Sequence, residues 1–200
     1  GDAARQGSGT SDPDSDADTA VSGGTGSDAV DSDGSRADRR IAGKDSSDPQ
    51  PQLKDLAATI YFVKLDRESG SASPYPVRTT VQYVDSPITR TVRSLLKGPS
   101  ATQRAQGIVS FIPDGTELIS AHLSGGHLTL NFSSRFESNY SGRQAIMLQL
   151  SQIMLTAFEF SPVSSVSILI EGERRQYITG DGIPLLPVYT KDDLARITAG

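Results

Sequence analysis

All twelve aromatic residues of this 200-residue chain lie at or beyond Tyr61. Large apolar side chains are what a core is made from, and aromatic rings bury the most surface apiece. The stretch upstream can therefore contribute almost nothing to a core. The division expected is a linker over 1–56, one domain over 57–190, and a short C-terminal tail over 191–200. The middle piece is about the modal size of a domain.

Charge divides the chain in the same place. Residues 1–52 hold eleven Asp, no Glu and five Lys or Arg, whereas 53–200 hold thirteen acids and fourteen bases. A segment of Asp, Ser and Gly cannot offset an ordering entropy of about 1–2 kcal/mol per residue, so 1–56 is expected to be a disordered acidic linker. Fifty such residues would reach about 40 Å as a flexible coil. Asp12, Asp14 and Asp16 open like a calcium loop, but Ala17 and Gly23 stand where its Gly and Glu are needed.

Several classes of function drop out on composition. The near-neutral remainder has no basic stripe, which argues against nucleic acid as a partner. With no cysteine in the chain, disulfides, zinc thiolates and thiol nucleophiles are excluded. No apolar run approaches the ~18 residues that cross a bilayer. The chain opens on Gly1, so membrane attachment is expected only through an anchor upstream of it.

The residues of 59–65 (TIYFVKL) read as a buried strand, 66–75 as a loop, and 77–84 as a second strand with Val77, Thr79, Val81 and Tyr83 on one face. Ser86-Pro87 starts a helix, with Ile88, Val92, Leu95 and Leu96 at helical spacing and Gly98-Pro99 as its stop. A hairpin is expected from 119–123 and 128–132 around Gly125-Gly126, pairing Leu123 with Leu128, Ala121 with Leu130 and Ile119 with Phe132. Its other face would be solvated and polar: Ser120, His122, Ser124, His127, Thr129 and Asn131. A long helix over 143–160 buries Ile146, Leu150, Ile153, Met154 and Ala157, with Gln149, Gln152, Thr156 and Glu159 expected in water. A strand over 165–172 follows. A last hairpin then pairs 175–178 with 185–189 around Gly180-Asp181-Gly182. The fold class is α+β, in the order β-β-α-β-β-α-β plus a C-terminal hairpin, a sandwich of a sheet and two helices.

Catalytic constellations are absent from this pattern. There is no Gly-x-Ser-x-Gly elbow, and neither histidine sits with a serine on a sharp turn. Glu137, Glu159 and Glu171 are the carboxylates that could pair for glycoside chemistry, but their positions favour solvated roles. His122 and His127 fall diagonally on one sheet face, and no acidic residue nearby in sequence supplies a third metal ligand. No catalytic, cofactor or metal site is expected, and the chain is read as a non-enzyme. The polar loop 133–142 either forms a contact surface or uses Phe136 and Tyr140 to seal the core. The candidate interaction surface is His122, Thr129, Asn131, Phe136 and Tyr140.

In order and spacing, these pieces resemble the GerM domain of sporulation and spore germination. The resemblance is carried by YFV at 61–63, SPITRTVRSLLKGPS at 86–100, IPDGTEL at 112–118, SAHLSGGHLTLNFSSRFE at 120–137 and the helix-to-strand unit ending SVSILIEGE. Family members often carry Asp where Asn131 stands here. The resemblance implies a GerM-like fold without catalytic residues, similar to ring-building modules of envelope and secretion machines. It implies an extracytoplasmic, membrane-tethered protein, periplasmic or on the outer face of the cell membrane. The expected partner is an envelope protein or further copies of the chain. A cell-wall glycan such as peptidoglycan, bound on the polar sheet face, is the alternative.

Overall fold

The computed structural model describes residues 52–178 and 182–198. Of the linker expected over 1–56, residues 1–51 lie outside the described residues, as do the turn residues Gly180 and Asp181, while 54–56 are not linker but the start of the first strand. The first strand, β1 (Lys54–Leu65), buries Ala58, Ile60 and Phe62 on one face and is twelve residues long. It runs antiparallel to β2 (Ala72–Tyr83) in an unbroken register from Lys54↔Tyr83 to Leu65↔Ala72. The expected loop thus shrinks to six residues, 66–71, held by the Asp66 carboxylate accepting from the Glu68 amide and the Ser69 hydroxyl. Those bonds lower the Asp66 pKa below its ordinary value. Pro74 and Pro76 sit within β2, which tolerates them because it is an edge strand.

Helix α1 (Pro87–Leu96) begins as the sequence requires. The Ser86 hydroxyl accepts from the Thr89 amide at 3.2 Å, and Ile88, Val92 and Leu95 are buried. A short helix α2 (Ala101–Ala105) follows, closed by a reciprocal Ser100–Gln103 capping box. The two-residue strand β3 (Ile108–Val109) pairs with Val63 and Lys64 on the free side of β1.

The second sheet has the order β4 (Leu118–Ser124), β5 (His127–Phe132), β6 (Ser165–Ile170) and β9 (Tyr189–Thr190). Strands β4 and β5 form the expected hairpin, with Leu123↔Leu128 and Ala121↔Leu130. A bulge between Leu118 and Ser120 changes its base, so Leu118 rather than Ile119 faces Phe132. Ile119 is left 47% exposed, while Leu118 is buried. Phe136, in a 3-10 turn at Ser134–Glu137, is fully buried and stacks on Phe132 with ring centroids 4.6 Å apart.

Helix α3 (Gly142–Phe158) corrects the amphipathic reading: twelve of its seventeen residues are buried, among them Gln149, Gln152 and Thr156. Strand β6 (Ser165–Ile170) then returns parallel to β5. The polar side chains on α3 are buried because they bond backbone groups that the strands leave over. Strand β3 ends at Val109, so the Tyr61 amide and carbonyl on β1 have no strand partner on that side. Thr156 Oγ1 accepts from the Tyr61 amide at 3.0 Å, and Gln152 Nε2 donates to the Tyr61 carbonyl at 3.3 Å. Gln152 Oε1 also accepts from the Phe111 amide at 2.7 Å. Gln149 Nε2 donates to the Phe136 carbonyl, and its Oε1 accepts from Asn139 Nδ2, both at 2.8 Å. A polar group buried with its partners in place carries little penalty.

The C-terminal part differs from expectation in its pairing. The hairpin is the short pair β7 (Tyr177–Ile178) and β8 (Ile183–Pro184). Tyr189, expected in that hairpin, belongs to β9 (Tyr189–Thr190), which joins the main sheet antiparallel to β6. Residues 191–198 are no tail. A 3-10 turn (Lys191–Asp193) leads into α4 (Leu194–Thr198), whose Ile197 is buried in the core cluster.

Candidate interaction surface

Strand β4 forms one edge of its sheet and pairs only with β5. Its turn is built for glycine. Gly125 and Gly126 both take positive φ, 55° and 82°, as a two-residue hairpin demands. A Cβ on Gly126 would also stand 2.7 Å from Ser164 Oγ. The Gly126 carbonyl accepts from the amides of Ser164 and Ser165, which ties the hairpin tip to the link between α3 and β6.

Beyond that tip the strand carries an exposed Ser120, His122 and Ser124, with Ile119 47% and Leu123 37% exposed. Between Leu118 and Ser124 there is no Lys, Arg, Asp, Glu or Pro. Sheets ordinarily protect an open edge with such residues. Here the bulge at Ile119 interrupts it, and the end of α1 packs beside its Leu118 end. The two exposed apolar side chains were invisible to sequence reasoning, which placed both against the core.

The expected surface residues part company. His122 is exposed and lies directly across from the half-buried Thr129. His127 turns away from it to share a 2.8 Å hydrogen bond with Ser165 Oγ. Asn131 is buried, its Oδ1 accepting from the Gly172 amide at 2.8 Å. That bond closes the turn after β6, where Glu171 adopts φ 52° and its amide donates to the Phe132 carbonyl. Asn131 thus shapes a turn and presents nothing to a partner. Phe136 is likewise withdrawn into the core. Tyr140 is 78% exposed, so the loop 133–142 sends one ring inward and one outward. Tyr140 flanks an open cavity of about 350 Å³ shared with Phe111, Pro113 and Asp114. It precedes α3, whereas the hairpin tip meets the chain after α3. A seventeen-residue helix is about 25 Å long, so the two exposed features belong to different ends of the domain.

The carboxylates do not converge either. Glu137 is 3.7 Å from Arg175, Glu159 accepts from the Tyr61 hydroxyl at 2.8 Å, and Glu171 accepts from the Ser134 amide at 2.8 Å. Burial, then the bond to Glu159, pushes the Tyr61 hydroxyl up to about 12. Among the described residues no three His, Asp or Glu gather as a metal site, and no buried side-chain N or O lacks a partner. No described helix is long and apolar enough to cross a membrane.

Comparisons with known proteins bear on the same stretch. The family described as Germane, sporulation and spore germination, matches residues 59–176. The tandem GerMN domains of the sporulation protein GerM from Bacillus subtilis share 23% identity at a TM-score of 0.52, covering 66% of this chain and 44% of that one. The chain therefore spans less than half of that tandem structure. The first GerMN domain of the same protein shares 17% identity at a TM-score of 0.50, covering 69% of this chain and 99% of the domain. At such identities the likeness speaks for the fold alone. Among curated protein sequences, none matches.

Proposed function

Because the chain belongs to the Germane family of sporulation and spore germination, we propose that this domain is a non-catalytic interaction or assembly module at the bacterial cell envelope. The observation that supports this reading most is the open edge of β4. Strand addition needs a row of unpaired backbone donors and acceptors, and it is opposed by charge on the receiving strand. Past Leu118, where α1 packs beside it, strand β4 has no strand on its outer side and carries no such charge. Ile119 and Leu123 add apolar area on either side of the strand's middle. The partner is then an extended segment of an envelope protein or a second copy of this domain. Its place in the cell is extracytoplasmic, tethered by an anchor upstream.

The test is photo-crosslinking in cells, with a photoreactive residue replacing His122 on the β4 edge and, separately, Tyr140. Recovery from position 122 of one defined envelope protein, or of the chain crosslinked to itself, is the expected outcome. Recovery of neither, with the domain co-purifying with wall fragments, would replace this reading by glycan binding.

A further inference from the structure

The C-terminal segment builds something that the family-matched stretch does not contain. Leu186, Tyr189 and Ile197 follow residue 176, where the match ends. Together with Met147 and Leu150 of α3 they line an apolar cavity of about 180 Å³. Its other wall residues include Arg143, in the first turn of α3, and Arg196, on α4. Among the described residues no carboxylate lines it.

Neither arginine is tightly paired among the described residues. Arg196 reaches Asp193 only at 3.7 Å and is 75% exposed. Arg143 enters no ion pair among the described residues. A cation in the first turn is also opposed by the helix dipole, so the α3 helix gains nothing from Arg143 at that position. A guanidinium fork matches a carboxylate in geometry and charge. The cavity opens to solvent at its arginines, and its volume is of the size that takes one ring or branched alkyl group, since ~150 Å³ accommodates benzene.

We propose that this cavity binds a compact apolar carboxylate, the apolar body resting on Met147, Pro184 and Leu186 and the carboxylate held by Arg143 and Arg196. The same chemistry is offered by a free aliphatic or aromatic acid and by the last residue of a polypeptide ending in Phe or Leu. The site is independent of the β4 edge, so either can fail without the other.

The experiment uses the full chain with carbon-13 methyl labels on Met, Leu and Ile. It is titrated with 3-phenylpropionate, with its neutral amide, and with a short peptide ending in Phe whose C-terminus is free or amidated. Saturable shifts of the Met147 and Leu186 methyls are expected with the free carboxylates. Binding should weaken about tenfold on conversion to the amide, and by a similar factor in Arg143→Gln and Arg196→Gln. Both substitutions are at exposed side chains, so thermal unfolding should be unchanged. Tighter binding of the peptide than of 3-phenylpropionate identifies a chain terminus as the natural ligand, and the reverse identifies a free acid. Absence of shifts at several millimolar, or equal binding of acid and amide, overturns the proposal.

Discussion

Helices α1 and α3 stand in opposite relations to water. In α1 the apolar residues Ile88, Val92 and Leu95 fall on one face and Arg90, Arg93 and Lys97 lie exposed around the rest. In α3 the burial runs nearly all the way round, and the side chains that look hydrophilic are sealed inside. The difference teaches what an amphipathic pattern reports. It marks a helix with one face in water, and it misleads for a helix whose polar residues bond leftover backbone groups.

Substitutions on the two helices should therefore differ in kind. Ile153→Ala, in the middle of α3 with no exposed surface, is expected to cost about 4 kcal/mol in urea unfolding. Next comes Gln149→Leu. On a solvated helix face that change would be harmless. Here it strands the Phe136 carbonyl and leaves Asn139 Nδ2 with only the Phe111 carbonyl as acceptor, and about 3 kcal/mol should be lost. An unchanged midpoint for Gln149→Leu would abolish the contrast between the helices. On α1 the corresponding lever is the cap: Ser86→Ala should cost about 1 kcal/mol, because only the Thr89 amide and hydroxyl lose an acceptor.

The smallest effect concerns Tyr61, whose backbone bonds α3 and whose hydroxyl bonds Glu159 just past its end. Its folded pKa is raised from 10.0 to about 12, so the neutral hydroxyl is favoured in the native state. That contribution is present in full below pH 10 and is lost as pH climbs from 10 towards 12. Absorbance titration should show a late-ionising tyrosine that Tyr61→Phe removes. Loss of that phase in Glu159→Gln alone would assign the shift to the carboxylate rather than to burial.

Much of the fold was legible because it rests on local rules. The Ser86-Pro87 helix start and the Gly125-Gly126 turn each need particular residue types at particular backbone angles, and those residues are in the chain. The Leu123–Leu128 register followed from alternation. The same alternation failed at Leu118 and Ile119, two adjacent apolar residues either of which could face inward. The bulge that decided between them is invisible in a pattern of period two. At the candidate surface, His122 is exposed as its place on the polar hairpin face predicts, whereas the loop 133–142 takes both readings at once, with Phe136 sealing the core and Tyr140 facing out. Asn131, expected on that polar face, is buried because its partner, the Gly172 amide, is set by how distant strands come together, and the Phe132 ring that draws Phe136 rather than Tyr140 inward is set the same way.

By itself the sequence determined where a core could form, the α+β class, the two helix-start and hairpin-turn signals, and the family to which the middle of the chain belongs. Those features depend on residue type and spacing along the chain. The tertiary structure alone decided that α3 lies buried with its glutamines paired, that β4 is an open edge, and that residues 184–197 wrap an apolar cavity. Each of these turns on which backbone groups and apolar faces remain unpartnered once the strands have paired, and that remainder exists only after the chain has folded.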